Sequence, residues 1–273
     1  VMSIGALSES LVVDEFDIAS GVFGSFRLKS FYQPIFSRAG GALHLTGLQG
    51  MSMPSLLGQP VAVDAFRSEC SSEVQGRVSA LGLAVQLHNY GHVGIAGLDL
   101  HVDCDPCGGA SVLSLLSERY APGCEDVVLG PEKLVCEVSS STQADQDFWD
   151  GLEELRWKGV RLAGSFGADR TLPAGAKADL VRIESAWFRK ICNEPTARLL
   201  GPMISVMRSH GAKVLIGGID TAHQLRIALE AGADQFQGDF LARPVSAGCA
   251  FDETQLSIAV LLGGGQNVVS FRR

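Results

Sequence analysis

A closed α/β barrel with an antiparallel opening is what this sequence predicts, on three observations. From about residue 93 to residue 236, apolar runs of strand length alternate with segments whose apolar residues recur at helical spacing. About eight such strands fall within roughly 250 residues, the size of a (β/α)8 barrel. Ahead of them, two alternating runs separated by Gly40-Gly41 read as a hairpin, which an all-parallel barrel does not contain.

The elements follow in order. Residues 6–18 are weakly amphipathic. Ser25 to Phe36 reads as a strand that should end at Pro34 or lie at an edge, because proline has no N–H for a ladder. Ala42 to Leu48 is its partner. Residues 61–88 hold Val61, Ala65, Val74, Val78, Leu81 and Val85 near helical spacing, which predicts one or two helices. Strands are then expected at Val93 to Val102, Lys133 to Val138, Val160 to Ala163, Leu180 to Ile183, Val214 to Ile216 and Gln235-Phe236. Helices are expected at 109–120, 143–158, 196–210 and 221–231. The tail, 246–273, reads as a final helix or strand packing on or beside the barrel, with a loose terminus. One domain over 1–273 is expected, with the barrel at about 25–245.

Composition excludes several function classes. With 46% hydrophobic and 19% charged residues, the 273-residue chain can bury a sizeable core. A formal charge of −8 weighs against binding a nucleic-acid polymer, which needs a basic face. No apolar run reaches the roughly 20 residues of a membrane span, and the start lacks the basic and apolar regions of a signal peptide. A cytoplasmic location and no membrane contact from this segment are expected; an anchor or further domain in a longer parent protein would not show. Seven cysteines at irregular positions favour free thiols in a reducing compartment.

In a barrel the residues after each strand face one mouth. Here they are Asp103, Asp105, Glu137, Gly164, Ser165, Arg182, Glu184, Gly217, Gly218 and Gln237. Two-metal phosphodiester chemistry needs several carboxylates around ions about 3.5–4 Å apart. The strands ending at Gly164-Ser165 and Gly217-Gly218 supply none.

Seven short motifs in order carry a resemblance. They are Phe31-Tyr32-Gln33-Pro34-Ile35, Val102-Asp103, Cys136-Glu137-Val138-Ser139, Phe166-Gly167, Asp179 to Glu184, Gly218-Ile219-Asp220-Thr221 with Gln224-Leu225, and Gln237 to Pro244. Together, over about residues 25–245, they resemble the EAL domain family of bacterial cyclic di-GMP phosphodiesterases and their inactive relatives. The resemblance implies an EAL-type modified TIM barrel, but its site carries over poorly. The family's signature glutamate falls on Thr46, or on Gly47 with a one-residue shift, and the arginine that helps hold a phosphate falls on Gly50. The metal-ligating asparagine matches Asp103, and the next glutamate is kept as Glu137. Both members of the paired aspartates are replaced, by Gly164 and Ser165. The lysine near the attacking water matches Arg182, the following aspartate Glu184, and a late glutamate Gly217. The second late glutamate matches Asp220; Gln237, Arg243 and Pro244 match their counterparts.

The resemblance with these departures implies a degenerate, catalytically inactive member, with no metal and no cofactor expected. A vestigial cyclic di-GMP site would comprise Gln33, Pro34, Asp103, Glu137, Arg182, Gln237 and Arg243. Three functions remain open. One is a regulatory module that binds a protein partner in cyclic di-GMP-linked control of motility, surface attachment or biofilm. The second is a receptor that holds cyclic di-GMP without hydrolysing it, and the third a barrel enzyme with a site rebuilt around Asp103, Glu137 and Glu184. A homodimer is an allowed assembly.

Bland readings stand beside the sharp ones. Glu137 is either a relic ligand or the partner of Arg182 across the mouth. Asp103 and Asp105, ahead of Pro106, are either ligands or turn and cap residues. Gln33 either contacts a base or belongs to a strand end. Cys104 and Cys107 have metal or redox spacing but no second pair, and His44, His88, His92, His210 and His223 read as scattered, without the one-face spacing of a zinc helix.

Overall fold

The closing strand of the barrel is the first long one, and the sequence around it explains why. The structure, a computed structural model, describes residues 9–62, 66, 71–104, 109–122, 124, 128–138, 146–167 and 177–263. In chain order the described strands are β1 (Leu11–Val13), β2 (Ala19–Phe23), β3 (Phe26–Ala39), β4 (Ala42–Leu56), β5 (Gln59–Pro60), β6 (Asp99–Asp103), β7 (Leu134–Val138), β8 (Arg161–Phe166), β9 (Leu180–Ile183), β10 (Lys213–Ile216), β11 (Gln235–Phe236), β12 (Val245–Ser246) and β13 (Leu256–Ser257). The described helices are α1 (Ser72–Asn89), α2 (Gly109–Arg119), α3 (Gln146–Trp157), α4 (Ser185–Ile191), α5 (Leu200–Ser209), α6 (Ala222–Glu230) and α7 (Ile258–Leu262).

Eight strands close on themselves in the order β3, β11, β10, β9, β8, β7, β6, β4, with β4 returning to β3. Every pairing is parallel except the two made by β3, which runs antiparallel to both β4 and β11. A tight turn at Gly40, with φ +60°, lets β3 fold straight back into β4.

Pro34 does not end β3. It pairs with Leu48 of β4 on one side. On the other it falls in the gap between β11, opposite Phe36 and Ser37, and β12, opposite Phe31 and Tyr32. Its missing N–H is therefore not called on.

Two other expectations change. Residues 11–23 form the β1–β2 hairpin rather than part of an amphipathic segment. The strand expected from Val93 starts only at Asp99, because Tyr90–Val93 is a 3-10 turn and Gly94 and Gly97 take positive φ.

Inside the barrel, Ile35, Val135, Ala163, Leu180 and Leu215 form a fully apolar plug. Outside, α1 packs across β2, β3 and β4 and against α2. The strand β13 pairs with β4, opposite Ala42 and Leu43, and brings α7 against α6. Asp105, Pro106, Cys107, Cys70, Ser139 and the terminus from 264 lie outside the described residues.

Candidate functional site

Side chains two apart on a strand share a face, so the apolar plug dictates what stands above it. Val135 is followed on its face by Glu137, Ala163 by Ser165, Leu180 by Arg182 and Leu215 by Gly217. On the antiparallel β3 the corresponding step from Ile35 runs backwards, to Gln33. Of these, Glu137, Ser165, Arg182 and Gln33 line a cavity of about 610 Å3, joined by Gln49, Asp103 and Gln237.

At its base Glu137 and Arg182 form a fork. Arg182 donates from Nε to Glu137 Oε2 at 2.8 Å and from Nη2 to Oε1 at 2.7 Å. His101 Nδ1 lies 2.7 Å from Oε1; an ionised carboxylate only accepts, so this bond places the proton on Nδ1. Gln49 donates to Oε2 at 3.4 Å. A carboxylate offers about four acceptor directions, and all four are taken.

The bonds also close a ring. Gln237 donates to Gln49 Oε1 at 2.9 Å and accepts from Arg182 Nη1 at 2.6 Å. Arg182, Glu137, Gln49 and Gln237 thus hold one another in a circuit whose donors and acceptors are matched throughout. Burial pushes the Glu137 carboxyl up, but Arg182 and His101 outweigh it and hold the group at about 2.

Glycines around the ring are filled by neighbours. A Cβ at Gly217 would lie 3.1 Å from Arg182 Nη1, so the guanidinium uses the space a side chain there would need. A Cβ at Gly50 would lie 2.6 Å from Gln86 Oε1, contributed by α1, and one at Gly167 would lie 2.5 Å from Glu184 Oε2.

Of the seven predicted site residues, five line the cavity: Gln33, Asp103, Glu137, Arg182 and Gln237. Gln33 donates to Asp239 Oδ1 at 3.0 Å and to the Ala242 carbonyl at 3.2 Å. Pro34 is buried in the wall and Arg243 is exposed; neither lines the cavity. Cys104 is fully buried, and a hydrogen bond with Cys136, together with burial, pushes its thiol well up, which suits packing rather than redox chemistry.

Sequence reasoning passed over Gln49 and His101 as mouth residues. Strand alternation could have found them, since Gln49 stands two residues after Gly47 and His101 two before Asp103.

The cavity continues as an apolar wall of Leu28, Met51, Met53 and Pro54 from the β3–β4 hairpin and Val78 and Leu83 from α1. Five carboxylates line it, Asp103, Glu137, Glu184, Asp220 and Asp239, against two arginines, Arg182 and Arg189. Arg189 is paired with Asp220 at 2.7 Å. Among the described residues, no three metal-ligating side chains at the mouth bring ligand atoms within 4.8 Å of one another. With Glu137 saturated as well, these residues do not fit a two-metal centre.

A model of the EAL domain family matches residues 114–244. No curated protein matches the chain by sequence. Solved structures do match its fold. The Bacillus subtilis YkuI protein, which has an EAL domain and was solved with substrate c-di-GMP and calcium, superposes with a TM-score of 0.66 at 20% identity, over 86% of this chain and 58% of that one. The phosphodiesterase PaMucR, in its c-di-GMP complex, gives 0.64 at 19% identity over 82% and 93%. Klebsiella pneumoniae BlrP1 with FMN and cyclic diGMP but no metal ions gives 0.64 at 18% identity over 84% and 56%. The chain therefore spans little more than half the length of YkuI and BlrP1. At these identities the likeness is one of fold.

Proposed function

We propose that this chain, an EAL-type barrel related to the cyclic di-GMP phosphodiesterases, is a catalytically inactive regulatory module that acts by binding a protein partner. The observation that carries the reading is the saturation of Glu137. Its counter-charge is a guanidinium, which is not released at working pH, so the carboxylate has neither a free direction nor a charge to offer a cation. The excess of carboxylates in the cavity opposes an unaccompanied dianionic dinucleotide as well. Control of motility, surface attachment or biofilm is the setting that the resemblance implies.

A second reading, a receptor that holds cyclic di-GMP without hydrolysing it, draws on one observation. The 610 Å3 cavity keeps Gln33, Gln237 and Arg182 together, and BlrP1 was solved with cyclic diGMP and no metal ions. A rebuilt enzyme site is less supported, because Glu137 is already committed to the ring.

The test is calorimetry of the purified chain with cyclic di-GMP, with and without Mg2+ or Ca2+, beside an assay for linear dinucleotide release. The expected result is no saturable heat and no product, with a protein partner binding the chain in the absence of nucleotide. Metal-dependent product that disappears in Glu137→Gln overturns inactivity. Micromolar, metal-independent binding that is lost in Gln33→Ala replaces the partner reading with the receptor one.

A further inference from the structure

The two histidines that looked scattered, His88 and His92, are four residues apart and meet a carboxylate from another element. His88 ends α1 and His92 lies in the 3-10 turn after it, with their ring centroids 6.0 Å apart. Between them stands Asp17, in the turn joining β1 to β2. Its Oδ1 lies 3.4 Å from His88 Nε2 and its Oδ2 3.2 Å from His92 Nε2. One ligand atom from each residue fits within 4.8 Å of the others.

The turn is built to hold that carboxylate. Asp17 has φ +60°, a left-handed conformation uncommon outside glycine, though one that aspartate tolerates better than most residues. Asp14 holds the turn in place: its Oδ1 accepts from the Phe16 and Ile18 amides at 2.9 Å each, and its carbonyl accepts from the Asp17 amide at 3.1 Å. Asn89, next to His88, fixes the hairpin to the end of α1. Its Oδ1 accepts from the Ala19 amide at 2.7 Å, and its Nδ2 donates to the Ala19 carbonyl and to Ser30 Oγ, both at 2.8 Å. The C-terminal end of α1 adds a partial negative charge. The histidine side chains are 33% and 29% exposed, which leaves them open to an ion from solvent.

We propose that Asp17, His88 and His92 form a site for a borderline divalent transition metal, of which Zn2+ fits best. Ligands about 2.0–2.1 Å from a tetrahedral ion stand about 3.4 Å from each other; each imidazole already lies at that spacing from one of the two Asp17 oxygens, His88 at 3.4 Å from Oδ1 and His92 at 3.2 Å from Oδ2, and one ligand atom from each residue falls within 4.8 Å of the others, so side-chain rotation suffices to bring the three onto one ion. Two imidazoles with one carboxylate select Zn2+ and its neighbours over Mg2+ or Ca2+, which take oxygen sets. Water completes the shell. The bound ion would staple the β1–β2 hairpin to α1, the helix that walls the cavity through Val78, Leu83 and Gln86.

The plain alternative is an ion pair between Asp17 and protonated histidines, with His88 Nε2 also donating to the Asp17 carbonyl at 3.1 Å. Titration of the full chain with ZnCl2 by calorimetry and thermal melting decides between them. One Zn2+ should bind with micromolar or tighter affinity and raise the Tm. The His88→Ala/His92→Ala variant should bind at least about 100-fold more weakly and lose that shift. The His210→Ala variant should behave like the parent, and circular dichroism should show all of them folded. Because the chain's thiols also bind zinc, the difference between variants is the decisive reading. Equal affinity in the double variant, or parent binding only at millimolar Zn2+, overturns the proposal.

Discussion

Glu137 and Arg182 owe their buried charges to each other, so removing one is worse than removing both. In Arg182→Met the carboxylate stays buried without its guanidinium partner, and the chain should lose about 3–5 kcal/mol in chemical denaturation. Adding Glu137→Gln to that variant should recover part of the loss, because the stranded charge is gone. Two single-site losses that simply add would show that the fork contributes nothing as a pair. The fork was legible from sequence as one of two readings of Glu137, because charges in a partly buried mouth are usually paired, and the structure shows that pair. Gln49 was harder to see: nothing in its type marks it, strand alternation alone pointed to it, and the register of β4 against β6, which sets Gln49 opposite His101, shows that it faces inward. Asp17 was hidden for another reason, because its partnership with His88 spans 71 residues and depends on a turn geometry that Asp14 holds in place.

The helix α1 approaches β4 closely enough that its glycine matters. A Cβ at Gly82 would overlap Ser52 Oγ and stand 3.1 Å from Ser52 Cβ, and that hydroxyl accepts from Gln86 Nε2 at 2.9 Å. Alanine in a helix interior gains about 1 kcal/mol over glycine, whereas overpacking costs about 1–3 kcal/mol. Gly82→Ala should therefore destabilise the parent by about 1–2 kcal/mol and become neutral or stabilising in a Ser52→Gly background. An unchanged penalty there would mean that Ser52 is not the obstacle. Most elements were readable because their patterns are local: β7 is Leu-Val-Cys-Glu-Val, buried throughout as a barrel strand must be. The elements misread were those set by neighbours. Pro34 sits harmlessly in β3 only because β11 and β12 leave a gap opposite it, and Gly94 and Gly97 delay β6 in a segment that otherwise looks apolar enough for a strand.

At the scale of the whole barrel, the same carboxylate ties stability to acidity. Burial raises the Glu137 pKa, and the opposing charges lower it further, from 4.5 to about 2. A depressed folded pKa means stability that is present above the unfolded value and lost as pH falls through the folded one. The gap is worth about 3 kcal/mol. Unfolding free energy should thus decline between about pH 4.5 and pH 2, and Glu137→Gln should flatten that part of the curve; an identical acid profile in the variant would assign the acid sensitivity elsewhere. The ring at the mouth has one more consequence: its members cannot be changed one at a time. Loss of Arg182 strands the Glu137 carboxylate, and a side chain added at Gly217 meets the Arg182 guanidinium, so a substitution at either position calls for a second one within the ring.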